Sequence, residues 1–476
     1  MKHKFLFLMM SLALWGGISF AQDRAGARFP WSNGPLKVSD NRRFLQHENG
    51  TPFFWLGETA WLLPSRLNRD EVGYFIGETA KNGYNVIQMS VLHSQDMMNV
   101  YGHWALPNRF DFSGIDKDGE YNYWKHVDYI VQQAASRGIY IGIVCSWSGS
   151  TRSNMTVEEA RKYGEFLGNR YKDHPNIIWL IGGDVRGDVA PDQYKAMANA
   201  IKSIDKVHLM TYHPLGRTMS ATWFHNEPWL DFNMFQSGHR RYGQRLGDGD
   251  YPIEEYTEED VWLFVERSLA YKPNKPVLDG EPSYEDIPQG LRSVNGPYWQ
   301  APDVRRYAYW SVFAGSFGHT YGHNSTMQMM RPGVAPSFGA KKPWWDAVHD
   351  PGCQQMKYLK NLILAFPFFE RVPDQSVIAG TNGTQYERII ATRGNDYILV
   401  YNYTNRRMEI DMTKISGAKK KAWWYSPVDG HTEYIGEFVN GKQTFHHDSA
   451  YGAGNDRVLI ITDAQVDYVE TNLISE

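Results

Sequence analysis

Short apolar runs alternating with amphipathic stretches occupy the first three quarters of the chain. The first run, Phe53 to Gly57, leads into a helical pattern that begins at Asn68, carries Glu71 in the capping-box position and stops at Gly83. Strand Asn85 to Leu92, helix Tyr121 to Gly138 and strand Ile139 to Trp147 follow. A helix capped by Thr156, with Glu159 three residues on, runs towards Tyr171 and is followed by the run Ile177 to Ile181. Pro191 suits the first turn of another helix, and the runs His208 to Tyr212 and Phe232 to Phe235 come after it. The helix Thr257 to Tyr271 leads to a strand at Val277, and the helix Asp303 to Ala314 to the run Phe317 to Tyr321. Eight apolar runs separated by capped helices predict a parallel sheet closed into a (β/α)8 TIM barrel. An open doubly wound sheet is the alternative, but no Gly-rich phosphate loop follows the first run. The join from Leu215 to Leu230 shows no helical period.

Both ends differ from this pattern. Leu36 to Val38 and Arg43 to Leu45 flank a turn at Asp40 and Asn41, which predicts a β-hairpin ahead of the barrel. From Phe369 onward, the runs beginning at Arg388, Tyr397, Lys421 and Val458 are divided by Gly, Asn and Asp turns without helical spacing. They predict a C-terminal all-β sandwich domain over residues 369–476, packed against a barrel domain over residues 22–368. Met1 to Ala21 has two lysines, an apolar stretch from Phe5 to Leu14 and a small-residue site at Ser19 to Ala21, the pattern of a signal peptide. The expected protein is therefore exported, periplasmic or secreted, with no lipid-anchoring cysteine near the cleavage site and no membrane insertion.

Composition narrows the function. Without the leader the chain has 47 basic and 53 acidic residues, a balance of −6. With no basic stripe, it is not built for nucleic acid. Cys145 and Cys353 are the two cysteines, too few for a disulfide framework. No metal cluster is legible, and no cofactor is expected. Seventeen Trp and 29 Tyr exceed what a core needs, and their flat faces suit sugar rings.

Two runs end on carboxylates. Ile177 to Asp184 finishes Gly182-Gly183-Asp184, and Val277 to Glu281 finishes Asp279-Gly280-Glu281 before Pro282. In a barrel the strand C-termini build the active site, and strands four and seven lie nearly opposite. Two carboxyls facing each other there are what glycoside hydrolysis uses, roughly 5–5.5 Å apart in retaining enzymes and wider in inverting ones. Asp184 reads as acid/base and Glu281 as nucleophile. The other strand ends supply candidate substrate-binding residues: Glu58, Trp61, Gln88, His93, Trp147, His213, Gln236, His239, Tyr284, Tyr321 and His323.

The run Trp55 to Trp61 (WLGETAW), the turn Ile181 to Asp184 (IGGD) and Asp279 to Tyr284 (DGEPSY) together resemble the apiosidase-like family, glycoside hydrolase family 140. The resemblance covers Pro35 to Phe366 and implies release of apiose-linked side chains from the pectic polysaccharide rhamnogalacturonan II. It matches Asp184 and Glu281 to the family's catalytic pair. The tail resembles a module labelled collagen-binding that often follows this barrel. Retaining barrels commonly end strand four on Asn-Glu; here Gly183-Asp184 leaves retention or inversion open, and with it the contact to the sugar 2-hydroxyl. Another glycosidase specificity, a non-catalytic glycan-binding protein and a metal-dependent hydrolase remain as alternatives, the last with only the His319 and His323 spacing in its favour.

Overall fold

The computed structural model describes residues 29–474 except 118, 148–154, 246–254 and 292. The expected leader, Met1 to Ala21, lies outside the described residues.

Eight parallel strands form the barrel: β1 (Trp55–Thr59), β2 (Val86–Ser90), β3 (Tyr140–Val144), β4 (Ile177–Val185), β5 (Met210–Pro214), β6 (Asn233–Phe235), β7 (Val277–Asp279) and β8 (Gly318–Tyr321). Regular ladders join β8-β1-β2-β3-β4-β5 and β6-β7. A few bonds near the strand starts bridge the two remaining seams. Asp231 N donates to Met210 O at 2.8 Å between β5 and β6, and Phe317 N donates to Val277 O at 3.0 Å between β7 and β8.

Both faces of these strands are buried, which is why they read as unbroken apolar runs. Along β4, Ile178 and Leu180 join the cluster that holds Trp55, Val86 and Phe232. Their neighbours Ile177, Trp179 and Ile181 pack instead with Tyr163, Leu167, Met197 and Ile201 from the surrounding helices. Those helices are α1 (Arg69–Lys81), α2 (Tyr123–Ala135), α3 (Val157–Tyr171), α4 (Pro191–Ile204), α5 (Asp260–Ala270), α6 (Ala301–Phe313) and α7 (Pro351–Leu364). Asn68 and Thr156 cap α1 and α3 as full capping boxes. Between β5 and β6 there is only a one-turn helix, Ala221–Phe224.

Some boundaries differ from the sequence expectation. β1 begins two residues late, because Pro52–Phe53 pairs with Leu45–His47 as the third strand of the N-terminal sheet. The fifth strand slides to Met210–Pro214, since His208 turns aside to bond Asp205 Oδ2 at 2.7 Å.

After α7, strands 372–373, 389–393, 397–402, 457–463, 419–425 and 432–439 form one antiparallel sheet. Its alternation is plain in Tyr397–Asn402. Ile398 and Val400 face the small two-stranded sheet Met408–Asp411 and Lys442–Phe445, while Leu399 and Tyr401 join the barrel-side cluster. Tyr401 stacks on Tyr309 of α6 at 4.6 Å, and Arg305 on the same helix grips Asp456 at 2.6 Å.

Candidate active site

Asp184 and Glu281 reach a common cavity by different backbone devices. At the end of β4 the ladder with β5 slips between Gly182 and Val185. Gly182, Gly183 and Asp184 all have positive φ, at 81°, 135° and 50°. A Cβ on Gly183 would lie 2.8 Å from Ser146 O and 2.9 Å from the Trp147 ring, so only glycine fits this turn. Glu281 is held more regularly. Asp279 Oδ2 accepts from Ser237 Oγ at 2.5 Å, and Asp279 Oδ1 accepts from Glu281 N at 3.3 Å. Gln88 Nε2 donates to Gly280 O at 2.9 Å, and Gly238 N donates to Glu281 O at 3.1 Å.

The two carboxylates line one cavity of about 530 Å³ together with Trp61, His93, Trp147, Gln236 and His239. Trp147 packs on Trp61 at 5.0 Å and stacks on His93 at 4.7 Å, so part of the wall is a continuous aromatic surface. His239 Nε2 stands 3.0 Å from Glu281 Oε1, and His213 Nε2 faces Glu281 Oε2 at 3.4 Å. The backbone N–H of Asp184 donates to His213 Nδ1 at 3.4 Å. With Nδ1 accepting, the His213 proton sits on Nε2, 3.4 Å from Glu281 Oε2 but not hydrogen-bonded to it. One imidazole therefore touches the backbone of the first acid and the carboxyl of the second.

The electrostatics follow from burial. It lowers His213 to about 4, and burial helped by neighbouring Arg240 lowers His239 to about 3; both rings are neutral at pH 7. Burial raises both carboxyls, Asp184 to about 7 and Glu281 to about 8. Asp184 is held up further by the negative charge of Glu281, against donors from Gly216 and Gln236. The Tyr284 hydroxyl pulls Glu281 back towards ionisation.

The other expected site residues lie off the cavity wall: His213 and Tyr284 are fully buried behind it, Tyr284 edge-on to His239 at 4.7 Å. Gln88 supports the Gly280 turn and is fully buried. Glu58, 1% exposed, is in the core, where Thr326 Oγ1 donates to its Oε1 at 2.9 Å. The Tyr321 hydroxyl donates to Glu285 Oε2 at 2.6 Å, and His323 pairs with Asp350 at 2.8 Å. These three form a buried polar cluster off the cavity wall, because on β1 and β8 the polar side chains point towards neighbouring elements of the core. Sequence reasoning missed Gln328, Ser337 and Phe338, which line the cavity from the loop after β8, as well as Arg217 and Arg240.

A closed parallel barrel whose fourth and seventh strands deliver carboxylates to one aromatic-lined pocket is the architecture of a glycoside hydrolase. The family model described as "Apiosidase-like, catalytic domain" matches residues 39–370, and the chain belongs to that family. A second model, described as "Putative collagen-binding domain of a collagenase", matches residues 372–462. A solved structure named glycoside hydrolase is 64% identical, with 93% of this chain and 100% of that one covered at a TM-score of 0.91. A glycoside hydrolase family 5 structure from Bacteroides vulgatus ATCC 8482 is 63% identical, covering 93% and 96% at a TM-score of 0.91. A search of curated proteins finds no match.

Proposed function

We propose that this glycosidase is an exported apiosidase that removes apiose-linked side chains from rhamnogalacturonan II by a retaining, two-carboxylate mechanism. The observation that carries the reading is that Asp184 and Glu281 share one cavity, where His239 Nε2 stands 3.0 Å from Glu281 Oε1. Asp184 protonates the glycosidic oxygen as the bond breaks, and Glu281 attacks the anomeric carbon. Neutral His239 orients Glu281 Oε1 and disperses its charge, with His213 packed beside Oε2. Water then displaces the sugar from Glu281, with Asp184 now acting as base. The aromatic wall excludes bulk water and suits the C–H face of a sugar. The Asp of strand four is one methylene shorter than the usual Glu, and the Gly182-Gly183 turn supplies the missing reach.

The test is a screen of wild type and Glu281→Gln against pectin side-chain oligosaccharides. Apiose released by the first and not by the second supports the reading. Release of a different sugar would retain the glycosidase and overturn the specificity. Proton NMR of the first-formed anomer checks retention.

A further inference from the structure

The rim of the cavity is carried by the loop after β8, and Phe338 stands on it. Its side chain is 44% exposed yet lines the same cavity as Asp184 and Glu281. Its backbone sits at φ 49° and ψ 31°, a region that bulky residues normally avoid. A strained residue of this kind persists only where its surroundings over-determine it.

Here they do. Ser337 N donates to Gln328 Oε1 at 2.8 Å, and Gln328 Nε2 donates back to Ser337 O at 3.1 Å. Asn324 Nδ2 donates to Phe338 O and to Asp286 O, both at 2.9 Å. Gln328 Nε2 also donates to Asn324 Oδ1 at 3.0 Å, tying the two amides together. On the far side the Tyr298 hydroxyl donates to Val294 O at 3.0 Å and lies 3.4 Å from Gly339 O. The backbone is clamped by the Asn324 and Gln328 amides while the ring is left partly open to solvent. A lone exposed aromatic is ordinary on a protein surface. One in a disfavoured conformation, held by two buried amides on the wall of a catalytic cavity, serves what enters that cavity.

Depth decides which part of the substrate it meets. Glu281 is 6% exposed and Trp61 is 4% exposed, so the reacting bond belongs at their level and Phe338 stands outward of it. We infer that Phe338 is a stacking platform for the sugar unit adjoining the one released, and that it sets the chain length the enzyme prefers. This rests on the glycosidase assignment of the cavity, not on which sugar is released.

The experiment compares wild type, Phe338→Ala, Phe338→Leu and Phe338→Trp on size-fractionated digests of pectin, xylan and mannan. Kinetics are measured on whichever polymer wild type cleaves, so the apiose reading can fail without deciding this one. Phe338→Ala and Phe338→Leu are expected to raise KM about tenfold on fragments that extend beyond the cleaved bond, the size of one lost aromatic contact. They leave kcat within twofold and the shortest cleaved fragment unaffected, and Phe338→Trp restores KM. Thermal unfolding of each variant confirms the fold. Equal KM for all four proteins on long fragments would overturn the proposal. So would a loss confined to kcat, or one that is the same for short and long fragments.

Discussion

At the scale of single residues, the buried acids divide by what surrounds them. Burial pushes the Glu58 carboxyl up to about 8, with Thr326 as its hydrogen-bond donor. It is therefore a neutral acid in the folded protein at pH 7 and ionised in the unfolded chain. A raised folded pKa means the native state keeps a proton the unfolded state has lost, so stability falls as pH rises from about 4.5 to about 8 and then levels. Glu58→Gln removes this slope and is expected to gain roughly 1–3 kcal/mol over wild type at pH 8, read by urea denaturation across pH. His213 has a different task. It receives the Asp184 amide and presents its other nitrogen to Glu281. His213→Phe keeps the ring volume and removes the acceptor of the Asp184 amide and the polar atom beside Glu281, so kcat/KM should fall roughly ten- to a hundredfold. Activity equal to wild type would show that the imidazole orients neither acid.

At the scale of elements, the strand ends matter more than the strands. The Gly182-Gly183 turn gives Asp184 its direction, and Gly183→Ala would push against Ser146 O and Trp147. That variant is expected to lose about 1–3 kcal/mol of stability and most of its activity, measured by thermal unfolding and initial rates. What was legible in the sequence follows the same division. Apolar period, capping boxes at Asn68 and Thr156 and the Gly-Gly-Asp and Asp-Gly-Glu endings all depend on neighbours within a few residues, and each reads directly from the chain. Glu58, Tyr321 and His323 have the same appearance at strand ends, but their partners Thr326, Glu285 and Asp350 come from other segments. Whether such a residue faces the cavity or the core depends on how distant loops fold over it. Phe338 was illegible for the same reason, since its role comes from the clamp of Asn324 and Gln328 rather than from its own neighbours.

At the scale of the whole molecule, the β domain is fixed to the barrel through α6. Arg305 and Asp456 form a fully buried pair, reinforced by the Tyr401 hydroxyl, which donates to Asp456 at 3.0 Å. Asp456→Ala strands a buried guanidinium and is expected to cost about 3–5 kcal/mol, while Arg305→Met with Asp456→Leu recovers most of it. Separate melting of the two domains in wild type would contradict this coupling. Barrel closure does the remaining work by bringing the ends of β4 and β7 to one cavity. The most direct test of that claim is the rate of sugar release by Asp184→Asn, Glu281→Gln and the double variant, each verified as folded. Each single change is expected to lower kcat about a thousandfold or more, and the double variant to be no slower than the slower single, because the two acids act as one unit. A single variant that keeps a tenth of the wild-type rate, or losses that multiply in the double variant, would contradict the account.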